Sequence, residues 1–63
     1  MYIVKATSKA FIKVTNDEFV ITSNENNATK YEKIGDAMRI ASIANKLLGS
    51  KIIHAIWYNG KTK

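Results

Sequence analysis

The chain has 63 residues, ten Lys or Arg against five Asp or Glu, a net charge of +5, 46% hydrophobic residues, and neither Pro nor Cys. A chain this short buries only ~60% of the surface its unfolded form exposes, so its core is thin, and without Cys no disulfide or thiolate metal site can brace it. Its longest apolar stretches, Ile40 to Ala44 and Ile52 to Trp57, are interrupted by Ser42 and His54 and fall far short of the ~20 residues that span a bilayer. Met1-Tyr2-Ile3-Val4-Lys5 lacks the charged leader and apolar stretch of a signal peptide, so an intracellular, cytoplasmic protein without a membrane partner is expected. With no repeat, low-complexity tract or linker, residues 1–63 are expected to form one domain.

From the amino terminus, Tyr2 to Thr7 alternates: Tyr2, Val4 and Ala6 fall on one side, Ile3, Lys5 and Thr7 on the other, the period of a half-buried strand. Ser8-Lys9 offers a turn before Phe11-Ile12-Lys13-Val14, and Thr15-Asn16-Asp17-Glu18 supplies turn residues before Phe19-Val20-Ile21-Thr22. These three segments form an antiparallel meander. Ser23 to Asn27 is polar and Asn-rich, as an exposed loop requires. From Ile34 to Leu48, the residues Ile34, Ala37, Met38, Ala41, Ala44 and Leu48 recur at the spacing of one helix face. Two helix starts compete. Thr29 with Glu32 fits a capping box, while Asp36 near a start at Lys33 or Ile34 suits the helix dipole, and the later start is preferred. Gly49 stands where the helix end tolerates a positive φ, with Lys46 in the last turn. Lys51 to Tyr58 reads as a final strand closed by Asn59-Gly60. The fold class is therefore α+β: a three-stranded antiparallel meander, one helix packed on the sheet, and a C-terminal fourth strand beside the first.

All five acids, Asp17, Glu18, Glu25, Glu32 and Asp36, lie between positions 17 and 36, and the flanks are purely basic. Such a dipolar chain can steer polyanions or an acidic protein surface toward its basic end. Nine of the ten cations are Lys; the lone Arg39 argues against base-specific DNA readout and leaves backbone contact open. The groups that catalysis draws on are nearly absent. His54 is the one His and alternates with Ile52 and Ile56 as a sheet residue; alone it makes a poor metal site. Asp17 with Glu18, and Glu25 with Glu32, fall in turns or loops, and Gly35, Gly49 and Gly60 are too scattered for a phosphate loop. No enzyme, no metal and no cofactor is expected.

Two surfaces qualify for binding. Wound at about 100° per residue, the helix carries an apolar arc about 220° wide, where a surface helix buries little more than ~100°. The surplus flank is assigned to Ile40, Ile43 and Leu47, bordered by Arg39 and Lys46, and these five residues form the expected protein-binding patch. A homodimer, or curling of the sheet and the 24–33 loop around the helix, would account for the same arc. The second surface is the sheet face away from the helix. With Tyr2, Val4, Ile12, Val14, Ile21, Ile53, Ala55 and Trp57 inward, Lys5, Phe11, Lys13, His54 and Tyr58 fall on an open face with Ile3, Val20 and Ile56. Aromatics among lysines on an open sheet resemble a stacking platform for single-stranded nucleic acid, the alternative reading.

The chain opens with Met1-Tyr2-Ile3-Val4-Lys5, adds a hairpin, and shows Ala28-x-x-Tyr31 followed by Asp36-Ala37-x-x-Ile40-Ala41 leading into the helix. Taken whole, it resembles the small orphan accessory proteins of bacteriophages and mobile elements in low-GC bacteria; nine Ile, six Asn and nine Lys fit the same codon bias. The resemblance implies a non-enzymatic protein in the bacterial cytoplasm that binds a host protein or ribonucleoprotein, as inhibitors of CRISPR nucleases and other defence complexes do. It carries over no functional residue. A charge of +5 argues against DNA mimicry, which uses acidic surfaces. A structural homo-oligomer is the third expectation.

Overall fold

The computed structural model describes residues 1–16 and 18–58. Strands β1 (Tyr2–Thr7), β2 (Ala10–Thr15) and β3 (Glu18–Thr22) form the meander; α1 (Ile34–Leu48) follows, and β4 (His54–Trp57) closes an antiparallel sheet of order β3-β2-β1-β4. The α+β class and the place of the fourth strand beside the first are as the sequence indicates. Strand β4 is shorter than the apolar run from Lys51 to Tyr58, and the Asn59-Gly60 turn lies outside the described residues. Between β2 and β3, Asn16 adopts φ 49, a left-handed conformation that Asn tolerates better than most residues.

Helix α1 starts at the later of the two predicted positions. Lys33 is its N-cap and makes no side-chain cap bond, while Asp36 places a carboxylate in the first turn. At the other end Gly49 takes φ 66, and the Gly49 and Ser50 N–H groups both donate to the Asn45 carbonyl, closing the helix.

The helix lies across β1 and β4. Its buried residues are Ala37, Ala41 and Ala44 alone, which meet Val4, Ala6, Ile12 and Ile53, with Tyr2, Val14, Phe19, Tyr31 and Ile40 half-buried around them. Small side chains let the helix sit close to the sheet. They also correct the expected helix face: Ile34, Met38 and Leu48 are exposed, because the closely seated alanine stripe leaves them beyond the sheet. Ile21 and Trp57, expected inward, share the helix side with their cross-strand partners Ile12 and Tyr2 but remain exposed, on strands at the sheet's two edges.

The opposite face is not open. A single 3-10 turn at Glu25–Asn27 folds back over the sheet, and Ala28 caps a second buried cluster with Ile3 and Phe11, edged by Ile56 and Tyr58. The chain then passes between β1 and β2 where their ends diverge. Tyr31 exchanges backbone bonds with Tyr2 (2.7 and 2.8 Å), the Thr29 N–H donates to the Ile12 carbonyl (3.3 Å), and the Thr29 hydroxyl accepts from the Val14 N–H (2.7 Å). Residues 29–31 thus fill a fork in the sheet and satisfy backbone groups that the two strands do not give one another. The segment enters from the face of Ile3 and leaves on the face of α1. The 24–33 loop, the alternative cover for the helix flank, runs through the sheet at residues 29–31 instead.

Candidate functional site

The five residues of the predicted protein-binding patch lie on α1. Ile40 is half-buried against the core, Ile43 is 42% exposed and Leu47 71% exposed, and Arg39 and Lys46 are exposed beside them. On the helical wheel Ile43 and Leu47 stand at about 120° and 160°, on one side of the alanine stripe centred near 240°; Arg39 and Lys46, at about 80° and 60°, line the solvent side. The structure therefore brings two apolar side chains and two cations onto one exposed strip, with the exposed Asp36 at about 140° two turns nearer the helix start.

The nucleic-acid alternative fares differently. Lys13 and His54 are exposed and Lys5 is half-buried, but Phe11 is only 8% exposed. The expectation that Phe11 faces solvent is corrected: the 24–30 segment covers it, and a covered ring offers no surface for base stacking. Tyr58 is engaged by the same segment, its hydroxyl donating to Asn26 Oδ1 at 2.6 Å while Lys30 Nζ lies 4.8 Å from its ring centroid and donates to the Asn26 and Ala28 carbonyls. The aromatic platform is thus a structural clamp on the loop.

On the other flank of α1 a groove of ≈ 360 Å³ runs between the helix and β4, lined by Ile34, Met38, Ala41, Ser42, Asn45, Ile53, His54 and Ala55. Sequence reasoning assigned Ile34 and Met38 to the core and missed it. Asn45 anchors the groove: its Nδ2 donates to the Ile53 carbonyl at 2.9 Å, and its Oδ1 accepts from the Ile53 N–H at 3.0 Å. Its position near 320° on the wheel, facing β4 rather than solvent, was the available signal.

Burial, and secondarily the Asp36 carboxylate, raises the Tyr31 phenol above its ordinary value of 10.0. Among the described residues no group of three His, Cys, Asp or Glu side chains is placed to hold a metal ion, and no helix is long and apolar enough to cross a membrane. Comparison with known proteins returns no matching family model, curated protein or solved structure.

Proposed function

We propose that this chain is a non-enzymatic protein-binding module, and that the exposed strip of α1, Ile43 and Leu47 with Arg39, Ile40 and Lys46, is its docking surface. The observation supporting this reading is the burial pattern of α1: only its alanines are buried, which leaves Ile43 and Leu47 as large apolar side chains in water beside two cations. Adjacent exposed apolar side chains next to Arg and Lys are the composition of an interface centre and its rim. The sequence resemblance to phage and mobile-element accessory proteins supports a partner among the proteins or ribonucleoproteins of a bacterial host, with a defence nuclease as the example.

Replacing both Ile43 and Leu47 with Asp tests this. Both positions are exposed, so thermal stability should change by no more than about 0.5 kcal/mol each. The variant should lose the host protein that the unaltered chain captures from nuclease-treated lysate, and should fail to bind that protein once purified. Capture that disappears on nuclease treatment supports the nucleic-acid alternative instead. A sedimentation coefficient that rises with concentration in the unaltered chain and not in the variant assigns the strip to a homo-oligomer.

A further inference from the structure

We infer that the outer edge of β4 accepts an extended segment of a partner protein as a fifth strand, and that this segment alternates apolar with acidic residues. The site is separate from the Ile43–Leu47 strip. Three observations carry it.

The first is the hydrogen-bonding pattern of the edge. The Tyr58 N–H donates to the Met1 carbonyl at 2.8 Å, so Met1 and Tyr58 form a hydrogen-bonded pair across β1 and β4. Antiparallel pairs alternate. Ile3 with Ile56 and Lys5 with His54 are therefore bonded pairs, while Tyr2 with Trp57 and Val4 with Ala55 are not. The Tyr2 groups confirm this phase, since both are used by Tyr31 on the other side of β1. Ala55 and Trp57 thus turn their N–H and C=O groups away from the sheet, with no partner for them among the described residues.

The second is Asn45. Residue 53 has the same parity as 55 and 57, and its N–H and carbonyl are both taken by the Asn45 side-chain amide. That amide makes the bonds a neighbouring strand would make. It forms the first rung of a ladder whose next two rungs, at Ala55 and Trp57, stand open.

The third is what flanks those rungs. On the helix side lies the apolar groove beside Met38 and Ala55, which fits the inward side chains of an added strand. On the opposite face Lys5 of β1 pairs with His54, which also borders the groove and whose Nδ1 lies 2.8 Å from the Ile52 carbonyl, and β4 itself carries no acid. On α1 Lys46 and Arg39, at about 60° and 80°, lie on the solvent side between the groove and the Ile43–Leu47 strip, Lys51 precedes β4, and Asp36, at about 140°, falls with the strip. Strand addition draws affinity from backbone bonds and selectivity from alternate side chains. Here the selectivity is apolar toward the groove and carboxylate on the other face, because the edge carries no acid of its own while Lys51 precedes β4 and Lys5 stands one strand in, in a chain of net charge +5. A second copy paired through the same edge would bring no carboxylate to either residue.

The experiment uses a short acetylated peptide alternating valine with glutamate, its counterpart with lysine for glutamate, and the full chain made by synthesis with N-methylalanine at position 55. The methyl group removes one outward donor and no bond to β1. The glutamate peptide should bind, shifting the Ala55 and Trp57 amide resonances and slowing their hydrogen exchange. The lysine peptide should bind at least tenfold more weakly, and N-methylation or Ser42→Trp, which fills the groove, should weaken the glutamate peptide roughly tenfold. Equal binding of the two peptides, or unchanged binding after N-methylation, overturns the proposal. So does a concentration-dependent dimer of the unaltered chain that N-methylation dissociates, which would make a second copy the occupant. Ile43→Asp with Leu47→Asp should leave peptide binding unchanged, so failure here and failure of the helix-strip reading are told apart.

Discussion

The sheet covers its two faces by different means. On one face α1 presents three alanines to Val4, Ile12 and Ile53; on the other, residues 24–30 fold over Ile3 and Phe11 without a regular element longer than one 3-10 turn. The helix satisfies its own backbone, so it needs only shape to dock, and it is wide enough that both flanks overhang its seat. The loop has no such internal ladder. It is held by polar contacts to named partners: Thr29 in the fork, Lys30 on its own carbonyls and Tyr58 on Asn26. A self-sufficient cover leaves greasy margins in water, whereas a cover that depends on the sheet for its hydrogen bonds is fitted to it. Both proposed binding surfaces adjoin the helix.

The comparison is most strongly tested at the ring beneath the loop. Phe11→Ala should cost about 3–5 kcal/mol in urea melts, a large share of the stability of so small a domain, if the second cluster is a true core. A cost below about 1 kcal/mol would reduce the loop to a surface covering. On the helix side Ala44→Leu should cost about 1–3 kcal/mol, because a fully buried alanine in a close packing has no room for three more carbons. Leu47→Ala, at an exposed position one turn on, should change the same melt by less than about 0.5 kcal/mol. Thr29→Val, which deprives the Val14 N–H of its acceptor, should cost about 1–3 kcal/mol and speed hydrogen exchange at Val14 more than in α1.

The smallest effect concerns Tyr31, where fork and helix meet. Its phenol is raised above 10.0 chiefly by burial, so the fold favours the neutral form. The resulting stability is present below the unfolded value and disappears as pH rises through the higher folded value. Between about pH 9 and pH 11 the unaltered chain should therefore lose melting temperature faster than Tyr31→Phe. Parallel curves would remove the burial assignment.

The elements and their order were legible because each carries a local signature: period-two alternation in Tyr2 to Thr7, apolar recurrence from Ile34 to Leu48, and Gly49 at the helix end. The overhanging Ile43 and Leu47 could also be read, since arc width is arithmetic on spacing. The fork could not. It depends on Thr29 and Tyr31 meeting Val14 and Tyr2 through backbone groups, which every residue possesses and no composition marks. The covered state of Phe11 was hidden for the same reason: a polar, Asn-rich segment gives no sign that Ala28 at its end is buried. The β4 groove was missed because Ile34 and Met38 fit the helix period as well as the alanines do, and periodicity alone does not measure how closely a helix sits.

The fork also dictates when the molecule can take shape during synthesis. Tyr2 finds its backbone partner only in Tyr31, and Met1 meets Tyr58 near the opposite end of the chain. While the ribosome adds ~5–20 residues each second, β1 can meet β2 early through Lys5 and Phe11, but its Tyr2 end waits for Tyr31 and its outer edge for β4. Such a protein closes late, its first-made strand matched early on one side and only at the last on the other.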